Sequence, residues 1–252
     1  MIIMRLKFIM LNLFIVNGFA LSISPINLEI DHAKGQGYYT LINDDVSQKV
    51  IGITTKSREI DIDGVSHYEP TKDLIVYPKQ VVLKPKEKRL IRVIFKGNNN
   101  FDAEKAYRIT FAEKNISIDF DEKNLGEGKR AAGVSFGVRF DGTVFVQPKK
   151  AAVAKIEVTS YDRKKVEGED FFIVKLQNKG TKHRHINTKD LELELLIPTA
   201  EKKDKWHLLS EDLLVKHVGG SMLLLAGGER EIKIPVHENQ IPSTVLGVRI
   251  TE

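Results

Sequence analysis

The chain has no cysteine in its 252 residues. Disulfides are therefore excluded as its scaffold, and no thiolate can serve as nucleophile or metal ligand. Small secreted domains commonly depend on disulfides. A chain this long can instead bury its own cores, as two domains of about 100 residues or more. Charge of one sign is also missing. The 39 Lys and Arg residues are interleaved with 34 Asp and Glu, so there is no basic stripe of the kind that binds nucleic acid. No apolar run approaches the ~20 residues that span a bilayer, which excludes membrane insertion by a helix. The pairs Gly219-Gly220 and Gly227-Gly228 lack a following Lys-Ser/Thr, which excludes a phosphate-binding loop. No serine, histidine or carboxylate sits in a catalytic motif. The expectation is a non-enzyme with no catalytic residue, no cofactor and no metal.

What is present begins at the N-terminus. Arg5 and Lys7 precede an apolar run, Phe8 to Val16, broken only by Asn12, and Gly18-Phe19-Ala20 follows. That is the layout of a secretory signal peptide over residues 1–20, with cleavage after Ala20. Two basic residues and no acidic one would leave with it, so the mature chain from Leu21 carries a net charge of about +3. The expectation is a soluble exported protein.

Beyond Ala20 the dominant period is two. Tyr107, Ile109 and Phe111 alternate with Arg108 and Thr110, and Val134, Phe136, Val138 and Phe140 with Ser135, Gly137 and Arg139. Leu191, Leu193 and Leu195 form a third series, Ile232, Ile234 and Val236 a fourth, and Leu246, Val248 and Ile250 a fifth. Side chains on a strand point alternately to its two faces, so each series gives one apolar face. Turn signals such as Asn43-Asp44-Asp45, Asp63-Gly64, Asp141-Gly142 and Asn178-Lys179-Gly180 separate them. No helix of convincing length is read. The pattern predicts an all-β protein of antiparallel sandwiches. Pro148, which cannot donate to a ladder, ends the first strand series. The predicted division is 1–20 leader, 21–148 first domain and 149–252 second domain. No sequence repeat relates the halves. The stretch Lys114–Ala132 is long, polar and glycine-containing, with room for a short strand at Ile116–Phe120. Loops of this length are often functional.

The most specific block is Asp73-Leu-Ile-Val-Tyr-Pro78-Lys-Gln-Val-Val-Leu83-Lys-Pro85, continuing to Leu90-Ile91-Arg92-Val93 and then Glu104-Lys-Ala-Tyr107-Arg108. It resembles the periplasmic chaperones of the bacterial chaperone–usher pilus pathway: an apolar pair before a proline, an apolar residue before a second proline, an apolar–Arg–apolar strand, then Glu before Tyr-Arg. The likeness covers most of the first domain and leans toward the alternate (alpha) branch. The second domain fits in size and strand content without a comparable motif. The resemblance implies two immunoglobulin-like β-sandwich domains set at an angle, work in the periplasm, and a role in pilus (fimbrium) assembly. The implied partners are pilus subunits, both pilins and a tip adhesin, and an outer-membrane usher. It also implies donor-strand complementation, in which the chaperone lends an edge strand to a subunit that lacks one. The alternative function is a secreted immunoglobulin-like binding or adhesion module with no folding client.

Counting back from Pro148 places the lending strand on Ala132–Val146, with Val134, Phe136, Val138 and Phe140 as the subunit-binding side chains. The competing reading turns the same residues into the chain's own core. Relatives anchor the subunit's terminal carboxylate with two basic residues in the cleft. By the same count those positions are Asn27 and Thr143, neither cationic. Either the anchor differs here or the register is shifted. Arg139, Lys149 and Arg92 are the candidate substitutes. Glu104 matches the acidic member of the family's interdomain ion pair, while Gln147 stands where its basic member would be.

Other signals carry less. His183 and His185, flanked by Lys182 and Arg184 with no carboxylate nearby in sequence, read as a solvated loop rather than a metal site. Asp119, Asp121 and Glu122 read as a loop charge run, Trp206 as a core or interdomain aromatic, and Asn115-Ile-Ser117 as a glycosylation pattern without weight here.

Overall fold

A computed structural model describes residues 21–114, 137–199, 203–239 and 241–251. The predicted leader, the loop strand at 116–120, the acidic run, the Asn115 pattern, Val134 and Phe136 lie outside these residues.

The described residues of the first half form ten strands. They are β1 (Leu21–Ser24), β2 (Asn27–Ile30), β3 (Gln36–Asn43), β4 (Lys49–Ile60), β5 (Ser66–Pro70), β6 (Leu74–Tyr77), β7 (Gln80–Leu83), β8 (Lys88–Phe95), β9 (Lys105–Glu113) and β10 (Arg139–Val146). They form two sheets, ordered β1-β3-β8-β6 and β2-β10-β9-β4-β5, with β7 also pairing β4. The strand period sets the core. Ile91, Val93 and Phe95 of β8 are buried while Leu90 and Arg92 face out, and Tyr107, Ile109 and Phe111 of β9 fill the space between the sheets. The Pro78 and Pro85 block resolves into β6, a turn, β7, a turn and β8.

The second half holds β11 (Ile156–Val166), β12 (Glu169–Asn178), β13 (Arg184–Asn187), β14 (Glu192–Ile197), β15 (Lys205–Leu208), β16 (Ser221–Leu224), β17 (Glu229–Pro235) and β18 (Gly247–Thr251). They pair as β11-β12-β17, β13-β16 and β15-β14-β18. A separate core gathers Val174, Leu176, Leu193, Leu195, Ile232 and Ile234. The two apolar cores share no residue.

Two expectations need correction. A helix, α1 (Glu211–Val218), lies between β15 and β16. Ser210 caps it by accepting the Leu213 N–H at 3.4 Å, and Leu213 and Leu214 are buried. Eight residues hold too few turns for a 3.6-residue period to stand out. Trp206 is neither core nor interdomain. It lies half-buried on β15, with the Arg249 guanidinium 4.1 Å from its ring centroid.

The halves also share a device that the sequence hides. Asn43 is fully buried, and its Nδ2 donates to the carbonyls of Ser47 at 2.8 Å and of Leu83 and Lys84 at 3.1 Å. Its Oδ1 accepts the Asp45 N–H. Asn178, equally buried, donates to Lys182, Leu224 and Leu225 and accepts from Gly180. In each half the asparagine ties the end of one strand to the turn before another. The third residue after the first turn carbonyl has positive φ in both, Lys86 at 60° and Gly227 at 73°. A repeat of architecture thus rests on one shared side chain per half.

Candidate functional site

Strand β10 is where the first domain stops closing on itself. On one side it pairs with β9 along its whole length, from Arg139 opposite Ala112 to Val146 opposite Lys105. On the other side β2 pairs in parallel only from Thr143 opposite Asn27 to Val146 opposite Ile30. Among the described residues, nothing pairs with that edge of Arg139–Gly142. Gly142 marks the changeover, because a Cβ there would lie 2.7 Å from the Ile26 carbonyl oxygen. Unpaired N–H and C=O groups along an edge invite another strand.

Alternation decides which side chains that edge offers. Val144 and Val146 point into the first core. Gly142, Phe140 and Val138 share their face by the period of two. Phe140 sits past the end of the sandwich, opposite Phe111 in register, and is 37% exposed, while Val138 is half-buried. Both readings of the series therefore meet on one strand: its C-terminal half is core, and at Phe140 the same face opens to solvent.

The free edge runs directly into a pocket of about 230 Å³ between the two domains. Asn27 and Thr143, cross-strand neighbours, line it together with Arg58, Phe145, His183 and His185. The cation here is one that the sequence did not single out. Arg58 Nη1 donates to Thr143 Oγ1 at 2.8 Å, and Nη2 to Ser66 Oγ at 3.2 Å. Its Nε is buried without a partner, and no carboxylate contacts the guanidinium among the described residues. Burial pulls the Arg58 pKa below the ordinary arginine value, and the nearby charge of Arg108 adds to this. A guanidinium with spare donors and no counter-ion among the described residues has the chemistry to receive an oxyanion.

The proposed anchors lie elsewhere. Arg92 is on the other sheet, hydrogen-bonded to Gln36, in a separate depression with Tyr38, Tyr77 and Leu90. Lys149 is exposed in the stretch between the domains. Arg139 faces away from Phe140 and pairs with Asp141 at 3.3 Å. No sequence signal marked Arg58, which reads as one more surface charge in Ser57-Arg58-Glu59.

Glu104 sits where the domains meet, its side chain only 1% exposed. A buried carboxylate needs donors, and both halves supply them. His183 Nδ1 lies 2.6 Å from Glu104 Oε1, the His183 backbone N–H donates to the same oxygen at 3.1 Å, and Gln147 Nε2 donates to Oε2 at 2.6 Å. The Glu104 N–H donates to the Thr181 carbonyl, and the His183 ring stacks on Phe145 with centroids 3.7 Å apart. The reading of His183 as part of a solvated loop is thus overturned, because the carboxylate it meets lies 79 residues away. His185 is exposed but faces the same pocket.

Beside the pocket, Arg108 pairs with Asp141 and reaches the Tyr68 hydroxyl. The Arg108 hydrogen bond, with help from Thr110, holds the Asp141 carboxyl down at about 2. A carboxylate depressed in the folded state stabilises the fold above its unfolded value near ~4, and that contribution is lost as pH falls toward ~2. Water screens this pair, so it is worth no more than about 1 kcal/mol. We expect Asp141→Asn to lower urea-measured stability by that amount at neutral pH and by nothing near pH ~2. An equal loss at both pH values would rule out the ion pair as the cause.

No family model and no curated protein sequence matches the chain. Solved structures do match its fold. A chain of the CsuC–CsuE chaperone–tip adhesion subunit pre-assembly complex, from the archaic chaperone–usher Csu pili of Acinetobacter baumannii, aligns with a TM-score of 0.52 at 17% identity. The alignment covers 87% of this chain and 92% of that one. The class 5 fimbriae chaperone CfaA gives 0.51 at 12% identity, over 92% and 99% of the two chains. The E. coli chaperone DraB gives 0.50 at 14% identity, over 93% and 98%. The fold is that of the pilus chaperones: two immunoglobulin-like domains over nearly the full length.

Proposed function

We propose that this chain is a periplasmic chaperone of a chaperone–usher pilus system, a binding protein and not an enzyme. It is exported by the leader at residues 1–20. It holds pilus subunits, pilins or a tip adhesin, by lending them an edge strand, and passes them to an outer-membrane usher. The observation that carries this reading is the half-covered edge of β10. Among the described residues the edge is open from Arg139 to Gly142, is closed by β2 from Thr143, and ends at the guanidinium of Arg58, which no carboxylate contacts. A strand added along it must stop at Thr143, so its chain end meets Arg58. A cation there favours a carboxylate over an ammonium group, which sets the added strand parallel to β10.

The side chains offered would be Val138 and Phe140, with Phe136 and Val134 continuing the same alternation in sequence. Burying four such groups in a partner's groove contributes roughly 6–12 kcal/mol of gross transfer energy, before ordering and association costs. Arg58 takes the role first assigned to Arg139, Lys149 or Arg92. Glu104, with His183 and Gln147, fixes the domains around the cleft.

The test is capture. Expressed with its leader alongside the pilus subunits of the same cell, the chain should co-purify from the periplasm with one of them. Phe140→Asp separates the two readings of the series. Because Phe140 already opens to solvent, we expect a stability loss of only about 1 kcal/mol. Capture should fall at least about tenfold, since the carboxylate would be desolvated without a partner in the subunit's groove. Collapse of the melting temperature with capture unchanged would make the strand ordinary core.

A further inference from the structure

The hairpin that carries Arg58 leaves its own sheet. Strand β4 pairs with β9 from Ile51 to Ser57 and then loses that neighbour. From Arg58 to Ile60 its only strand partner among the described residues is β5, at Tyr68 to Ser66. An isolated two-stranded ribbon is marginal in water, so its direction depends on what holds its two ends. At the base, the Tyr68 ring lies against the Arg108 guanidinium, 4.6 Å from the ring centroid. At the tip, the second domain takes hold. The Glu231 N–H of β17 donates to the Ile62 carbonyl at 2.8 Å, and Lys233 Nζ lies 2.7 Å from Asp63 Oδ1. Gly64, at φ +83°, leaves room for the Arg230 guanidinium: a Cβ there would fall 0.8 Å from Arg230 Nη1.

We infer that the β4–β5 ribbon is a strut between the domains that aims Arg58 into the cleft, with Asp63, Gly64, Arg230 and Lys233 as its positioning residues. Arg58 is the first ribbon residue past the sheet, so a tip released from β17 would let the guanidinium swing away from Thr143. The second domain thereby shapes the receptor from the ribbon tip, apart from the pocket wall that His183 and His185 supply. This inference rests on the proposed reading of Arg58 as the carboxylate receptor.

The experiment uses the full chain and two short synthetic peptides of alternating valine and threonine, with lysines at the start for solubility. They differ only at the end, free carboxylate or carboxamide. The wild-type chain should bind the carboxylate form about tenfold or more tightly than the amide, the worth of hydrogen bonds to a charged group. Asp63→Lys places like charges at the tip. It should bring the ratio close to one while leaving amide affinity and melting temperature unchanged. Adding Lys233→Asp should restore the ratio. Gly64→Val, which expels Arg230 from a turn held at φ +83°, should lower the ratio in the same way, at some cost in melting temperature. A wild-type ratio of one would sink the reading of Arg58 and the strut with it. A tenfold wild-type ratio that survives both Asp63→Lys and Gly64→Val would overturn the strut alone, as would failure of the double swap to restore it.

Discussion

Replacing Asn43 with leucine should destabilise the first domain by about 4 kcal/mol. The side chain is fully buried, and its amide serves three backbone carbonyls and one N–H. Leucine fills the same space but removes all four bonds. The Lys84 carbonyl still accepts the Glu87 N–H, while the Asp45 N–H and the Leu83 and Ser47 carbonyls lose their side-chain partner at a buried or part-buried turn. A buried backbone group left unpaired costs about 1–3 kcal/mol, and partial relaxation of the turn keeps the total below the simple sum. Calorimetry should show a drop in melting temperature on the order of 15 °C. Asn178→Leu should do the same to the second domain. If the domains unfold separately, each variant moves a different transition. A shift of less than about 3 °C in either would mean that water reaches these turns and that the asparagines are not their ties.

That pair of asparagines shows where the sequence stops speaking. Strand β9 was legible because Tyr107, Ile109 and Phe111 repeat every second residue, a local signal with a local cause. Strand β8 was legible from the apolar–Arg–apolar run at Ile91-Arg92-Val93 after Pro85, in the block that carries the family resemblance. The Asn43 and Asn178 corners bind segments 40 and 46 residues apart, and only one side chain recurs, so no alignment of the halves would find them. The site followed the same rule. Asn27 and Thr143 were placed by counting from Pro148, and the structure sets them side by side. Arg58 was missed because it reaches Thr143 over a separation of 85 residues, from a strand that outruns its sheet. His183 looked solvated among Lys182 and Arg184, and only the fold supplies its carboxylate. Local periodicity thus reveals strands, whereas the chemistry of the cleft depends on which strands are brought together.

Arg58→Ala should weaken binding of the free-carboxylate peptide by about a hundredfold, and Arg58→Glu by more. The guanidinium lines the pocket with one N–H of Nη1 and one of Nη2 uncommitted, and a terminal carboxylate can accept both of these bonds at once. Each bond to a charged group contributes about 1.5–3 kcal/mol, so the loss of two accounts for the factor. Arg58→Lys keeps the charge but not the fork, and should fall between, near tenfold. Folding should hardly change in any of these variants, because Arg58 is a half-buried charge with no carboxylate partner among the described residues and removing it relieves desolvation. Rescue makes the assignment specific. Thr143→Lys in the Arg58→Ala background returns a cation to the same pocket from the neighbouring strand, and should recover most of the lost affinity for the carboxylate peptide but none for the carboxamide. If Arg58→Ala binds the carboxylate peptide within about threefold of wild type, the anion is held elsewhere in the cleft and Arg58 has only a structural role.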